Sequence, residues 1–469
     1  MIRKLFIVQA LLCVFVLSNA AVMEAPLLQP DFYKIKREAL RELMPENSVA
    51  ILFSYPVKSR SNDVDFRYKA NPDLFYLSGF DNQDAMLLVF KNEQEIDGKK
   101  SDHLMVIPAR DAKYESWNGK RMSKGDAKRE LHLDAVTTTD LINKLPVSLS
   151  AFDKVFVQYP NGDLKAGPSR KNGLDKVVNN LKRALAEASK KPNKTDLKEW
   201  MAELRQVKSE GEIALIQKAI NATGNGLVSV MKTIEPGMTE SQAQGIIEFH
   251  FKAAGSEYPG FPSIIGSGEN ACILHYIDNK GKLNADDMLL MDVGAEMNGY
   301  SADVTRTIPV DGVFSEEQKA IYNLVLKAQL AGIEDCQVGN SFMKPHMSTR
   351  AIIAKGLVKL GIMDDESQVS TYFPHGTSHY LGMDVHDVGT YGKLEEGVVL
   401  TVEPGIYINA GSPCDQKWWN IGIRIEDDIL VTENGPQNLS GHIPKEVEEI
   451  EAVMKENSPF NGLIKNSND

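Results

Sequence analysis

Four carboxylates sit against the most apolar runs of this 469-residue chain, and no other feature limits its folding as much. Asp292 ends Leu289-Leu290-Met291, and Asp303 opens Val304-Thr305-Arg306-Thr307. Glu403 follows Val398-Val399-Leu400-Thr401-Val402, and Glu426 follows Ile421-Gly422-Ile423-Arg424-Ile425. Each run is short, apolar and rich in β-branched residues, so each reads as a buried strand. A bare carboxylate there is so costly that it is normally paired or bound to a metal. Arg306 and Arg424 are the only cations nearby in sequence, too few for four acids. Asp292 and Asp303 lie eleven residues apart, and two strands joined by such a turn bring both side chains to one face. Glu403 and Glu426 flank a longer connection that can do the same. Two hairpins facing each other would then offer four oxygen donors, a site for two divalent cations that share carboxylates.

A nitrogen donor is close at hand. His375, His379 and His386 fall within twelve residues, among Gly376, Gly382 and Gly389, out of nine histidines in the chain. Chemistry alone leaves open which of them joins the acids. Four carboxylates and an imidazole form a hard site that suits Mn2+ first, with Co2+, Fe2+ or Zn2+ as alternatives.

The chain is long enough for two or three domains, and its 42% hydrophobic and 25% charged residues suit a globular protein. A formal net charge of −12 argues against nucleic acid as a partner. Residues 1–20 read as a secretory signal: Arg3 and Lys4, the apolar run Leu5–Leu17, then Ser18-Asn19-Ala20 with cleavage after Ala20. That run is too short to span a bilayer, so the expectation is a secreted or periplasmic protein with no membrane contact after cleavage. Cys13 leaves with the signal, and Cys272, Cys336 and Cys414 lack metal-site spacing, although one pair could bridge.

Residues 24–190 alternate strands (Ser48–Ser54, Asp84–Phe90, His103–Pro108, Lys154–Tyr159) with helices (Asp31–Leu43, Gly173–Ala188), which predicts a mixed α/β domain with helices over one sheet. Lys190–Asp196 is polar, contains Pro192 and reads as a linker. Residues 196–456 begin again with capping boxes at Ser209/Glu212, Thr239/Gln242 and Ser315/Gln318. Between these helices lie expected strands at Met288–Val293, Asp303–Val310, Val398–Ile408 and Ile421–Val431. Helices followed by strand pairs, twice over, predict an α+β domain of two similar halves. Residues 457–469 form a tail.

LLMDVGAEMNGYSADVTRT, PHGTSHYLGMDVHDVG, LTVEPGIYI and GIRIEDD together resemble the signature segments of the pita-bread metallopeptidases, and their order is most similar to the Xaa-Pro aminopeptidase (aminopeptidase P) family. FRYKANPDLFYLSGFDNQDAMLLV and RDAKYESWNGKR resemble that family's N-terminal domain, and VKSEGEIALIQKAI its linker helix. The resemblance runs from about Asp31 to Met454. It implies a C-terminal pita-bread catalytic domain behind the N-terminal α/β domain, with homodimers or homotetramers as assemblies. Its ligand set would be Asp292 on one metal, Asp303 and Glu426 bridging both, and His379 and Glu403 on the second. The implied activity is release of the N-terminal residue from peptides with proline second, by attack of a metal-bridging hydroxide. Glu403 would pass the proton to the departing proline nitrogen. His275 and His386 would contact substrate and stabilise the tetrahedral intermediate, and His375 would line the pocket. Arg424, two residues before Glu426 on a strand, would pair with a ligand carboxylate. Tyr407 is either a pocket wall or core packing, and Trp117 either caps a neighbouring subunit's site or packs on the surface. A prolidase and a non-catalytic binding module are the alternatives. A methionine aminopeptidase fits less well, because those enzymes lack the long N-terminal domain.

Overall fold

A computed structural model describes residues 28–160 and 173–461. The expected signal at 1–20 and residues 462–469 of the expected tail lie outside the described residues. No described helix is long and apolar enough to cross a membrane.

The N-terminal domain is built on one five-stranded sheet. Its strands run in the order Val136–Thr138, Lys99–Ile107, Met86–Ile96, Ser48–Phe53 and Lys154–Gln158, with the two outer pairs parallel and the inner ones antiparallel. The strand Ser48–Phe53 is buried along its whole length because both faces of the sheet are covered. Val49, Ile51 and Phe53 pack with Val177, Leu181 and Leu185 of the helix Leu174–Glu187. Ala50 and Leu52 face the other way, into a core shared with Leu40 and Leu77 of the helices Pro30–Leu43 and Pro72–Ser78. That second core is continuous with the C-terminal domain through Leu197 and Met201 of the helix Asp196–Gln206.

The C-terminal domain repeats one plan. Helices Glu210–Met231 and Glu240–Ala253 precede a sheet of Val304–Pro309, Met288–Val293 and Ile264–Ser267. Helices Glu316–Glu334 and Lys344–Lys359 precede the strands between Val399 and Asn438. The three expected capping boxes all form, each with both reciprocal hydrogen bonds.

Two expected strands are interrupted. Val398–Ile408 divides into Val399–Val402 and Gly405–Ile408, and Ile421–Val431 into Ile421–Arg424 and Asp427–Thr432. Pro404 has no N–H to give a ladder. The amides of Glu403 and Glu426 donate elsewhere, to the carbonyls of Thr377 (2.8 Å) and Thr305 (3.1 Å). Register is unchanged across the gap, with Val402 opposite Asp427 and Gly405 opposite Arg424, so Glu403 lies opposite Glu426.

The connection between Asp292 and Asp303 is also more than a turn. Ala295–Met297 and Tyr300–Ser301 form their own small hairpin, paired to Tyr258–Pro259. Asp292 pairs with Thr305, and Asp303, two residues earlier, shares its face. Gly294 makes the crossing possible: a Cβ there would lie 1.8 Å from the carbonyl oxygen of Ala302.

Candidate metal centre

The structure brings the sequence-distant acids to one place. Asp303, His379 and Glu426 offer ligand atoms that all lie within 4.8 Å of one another. His379 Nε2 is 3.3 Å from Asp303 Oδ2 and 3.5 Å from Glu403 Oε1, which draws Glu403 to the same point. Asp292 borders the group and is held by Arg424, whose Nη2 donates to Asp292 Oδ2 at 2.6 Å. Arg424 also reaches Thr305 Oγ1 (3.2 Å) and Tyr407 Oη (2.7 Å). Thr305 Oγ1 in turn donates to Glu426 Oε2 at 2.6 Å. Thr305 and Tyr407 thus fix the acids and the arginine in one buried web. Tyr407 is buried in the core, and its hydroxyl also meets His375 Nε2 at 2.9 Å.

The histidines divide by depth. His379 and His375 are half-buried, whereas His275 and His386 are exposed. His379 Nδ1 lies 3.0 Å from the Tyr380 carbonyl, an acceptor that favours a proton on Nδ1 and leaves Nε2 lone-paired toward the acids. His386 packs edge-on against the His379 ring at 4.2 Å between centroids. His375 Nδ1 contacts its neighbour's carbonyl, Gly376 O, at 2.7 Å and lies 3.6 Å from Glu403 Oε2.

Electrostatics shows what the cluster suits. Burial, then repulsion from Glu426 and Asp292, pushes the Asp303 carboxyl well above its usual range. Burial and the charges of Glu403 and Asp292 do the same to Glu426. Glu403 is pushed up to about 8 by burial, with Asp292 adding to the shift and Arg424 opposing it. Burial, then His386, lowers His379 to about 4, so its imidazole is neutral at physiological pH. Asp292 Oδ1 and Asp303 Oδ1 are buried with no hydrogen-bond partner. Crowded acids, a neutral imidazole and buried carboxylate oxygens free to accept are a donor set that suits divalent cations. The residues therefore fit a pair of hard divalent ions.

Comparison with known proteins agrees with that donor set. Residues 33–156 match the aminopeptidase P N-terminal domain, and residues 214–433 match metallopeptidase family M24. The Xaa-Pro aminopeptidase of Escherichia coli is 35% identical over 440 residues, covering 90% of this chain and 97% of the relative. That of Haemophilus influenzae is 34% identical, covering 92% and 98%. The solved structure of E. coli aminopeptidase P with the inhibitor Pro-Leu aligns with a TM-score of 0.82 at 35% identity, over 92% of this chain and 99% of that one.

The chain belongs to the Xaa-Pro aminopeptidase family.

Within this family frame, several residues at the site carried no sequence signal of their own. Asp428 Oδ2 accepts the Asp303 backbone N–H at 3.2 Å, and its other oxygen is buried without a partner. Asp427 is satisfied instead, by Arg306 (2.7 Å), Lys445 (2.6 Å), Gln329 (2.8 Å), Asn438 (2.8 Å) and Ser440 (2.7 Å). Arg306 is therefore spent on the Asp427 carboxylate and on backbone carbonyls, that of Glu426 among them at 2.6 Å, and not on the candidate ligand carboxylates. The run Glu426-Asp427-Asp428 could have been flagged as three adjacent acids in an apolar stretch. Trp117 is 85% exposed and packs into no core. Cys272, Cys336 and Cys414 are all free thiols. A cavity of about 960 Å3 lies between the two domains, lined by Tyr33, Phe66, Phe75 and Phe261 among others, and includes none of the clustered acids.

Proposed function

We propose that this protein is a two-metal aminopeptidase that releases the N-terminal residue of peptides with proline in second position. The observation that carries this reading is the convergence of Asp303, His379 and Glu426, with Glu403 and Asp292 at their edges, in a chain that spans its Xaa-Pro aminopeptidase relatives almost end to end. Asp292, Asp303, His379, Glu403 and Glu426 would hold the ions, manganese by preference. Two bound divalent ions would acidify a shared water and polarise a carbonyl.

The remaining work falls to the chain itself. Arg424 and Thr305 orient Asp292 and Glu426. Glu403, 3.5 Å from His379 and 3.6 Å from His375, would carry a proton toward the departing proline nitrogen. His386 and His275, both exposed, would donate to a developing oxyanion. His375, tied to Tyr407, lines the wall beside Glu403. A bond to proline is a tertiary amide without an N–H, so the site must grip the ring and the carbonyl rather than that missing donor.

Cleavage of Xaa-Pro-Yaa tripeptides by the Mn2+-loaded enzyme, set against Xaa-Ala-Yaa and against Xaa-Pro dipeptides, tests the assignment. The expected result is release of the first residue from the proline tripeptide. Cleavage confined to dipeptides would make the protein a prolidase, and no cleavage by folded, metal-loaded protein would make it a binding module. We further assign the protein to the exterior of the cytoplasm on the signal-like residues 1–20. N-terminal sequencing of mature protein that still begins at Met1 would refute this.

A further inference from the structure

One buried charge cluster lies outside the acid site and joins both domains. Arg205, at the end of the helix Asp196–Gln206, is 2% exposed. Its Nη1 donates to Asp73 Oδ1 at 2.6 Å, in the helix Pro72–Ser78 of the N-terminal domain. Its Nη2 donates to Asp384 Oδ2 at 3.1 Å and to Asp387 Oδ1. Lys208 Nζ lies 3.2 Å from Asp387 Oδ2, and Lys69 Nζ lies 3.7 Å from Asp384 Oδ1. Asp73 Oδ2 accepts from Gln158 Nε2 at 2.6 Å, on the last strand of the N-terminal sheet.

Asp384 and Asp387 bracket His386. The loop between them has little regular structure of its own: Gly382 N donates to Asp384 O at 3.2 Å, and Asp387 N to Tyr380 O at 2.8 Å. Gly382 packs against the Asp387 carboxylate so closely that a Cβ would lie 2.1 Å from its Oδ2. The His386 ring ends this loop against His379. A buried ion cluster adds little net stability over an apolar one of the same shape, since desolvation cancels most of the attraction. A guanidinium does fix direction, because its planar fork holds several carboxylates in set positions.

We propose that Arg205 and Asp73 are positioning residues, a clasp by which the N-terminal domain sets His386 at the mouth of the catalytic centre. Asp73 anchors the guanidinium, the guanidinium fixes Asp384 and Asp387, and these hold the loop that aims the imidazole. The inference rests on the reading of His386 as a substrate-contacting group.

Asp73→Asn in the full-length, Mn2+-loaded enzyme tests it. The amide oxygen can still accept from Arg205, and Gln158 can turn its own amide to accept from the new N–H, so hydrogen bonding and volume are kept while the anchor loses its charge and loosens. The expected effect on hydrolysis of an Xaa-Pro-Yaa tripeptide is a fall in kcat of about ten- to a hundredfold, the scale of a small misplacement of a reacting group. KM should stay within about twofold, as for an interaction made chiefly in the transition state. Manganese content should match the parent, and the melting temperature should fall, since a buried guanidinium loses one charged partner, with the protein still folded at the assay temperature. The decisive comparison is in a His386→Ala background, where Asp73→Asn should cost nothing further. Asp384→Asn, at a half-exposed partner, should reproduce the pattern even if Arg205→Lys fails to fold. Unchanged kcat in folded Asp73→Asn, or an equal loss with and without His386, overturns the clasp alone. Wild-type kcat in His386→Ala overturns the role of His386 and the clasp with it.

Discussion

Replacing Asp303 by Asn should make the metal-free protein more stable and the metal-exposed protein less so. Asp303 and Glu426 place ligand atoms within 4.8 Å of each other. Two unit charges at that distance repel by about 3 kcal/mol at an effective dielectric of 20. Asp303 also loses its water and has one orphaned oxygen. Its carboxyl is held well above the usual range by burial and then by Glu426. An acid whose folded pKa is raised gives its full contribution below the unfolded value, near 4, and loses it as pH rises through the folded value. The metal-free wild type should therefore weaken as pH climbs from about 4 to 8 and beyond, whereas Asp303→Asn should weaken less. Below about pH 4 the two should melt together. At pH 8 the variant should be ahead by about 1–3 kcal/mol after allowance for the lost His379 contact, or about 5 °C. Wild type should gain many degrees from Mn2+ through mass action, and the variant few. Differential scanning calorimetry on chelator-treated protein, with and without Mn2+, reads all four cases. A metal-free Asp303→Asn that melts below wild type at pH 8, or one that keeps the full Mn2+ gain, would refute the reasoning.

Other consequences follow from the same geometry. Glu403 is pushed up to about 8, and Asp303 and Glu426 are pushed well above the usual carboxylate range, so Mn2+ binding at pH 7 should expel about one to three protons. Calorimetry in two buffers of different ionisation heat measures this, and heats that do not depend on the buffer would contradict it. Gly294→Ala sets a Cβ against the Ala302 carbonyl and should cost about 3 kcal/mol with loss of activity; a soluble, fully active variant would contradict the account of that crossing. Arg306→Met leaves Asp427 short of its guanidinium and should cost about 3–5 kcal/mol in urea unfolding whether or not Mn2+ is present, in contrast with Asp303→Asn.

The acids were legible in the sequence because a carboxylate amid Leu, Ile and Val breaks the local rule, and the capping boxes because their partners lie three residues apart. What was hidden has one physical cause: long-range side-chain pairing leaves no periodic trace. Arg205 reads as an ordinary helical arginine until Asp73, 132 positions away, and Asp387, 182 positions away, are folded against it. Arg306 looked like a partner for the candidate ligands by adjacency, yet it serves Asp427. The break at Glu403 was available from Pro404, which cannot donate to a ladder, and the run Val398–Ile408 hid it by its apolarity. Asp428 gave no cue beyond its place after two other acids.

Anomalous diffraction at the manganese edge, from crystals grown with Mn2+, tests the central claim most directly. Two peaks are predicted, together ligated by Asp292, Asp303, His379, Glu403 and Glu426. A well-occupied ion bound elsewhere, with those five side chains bare, would contradict it.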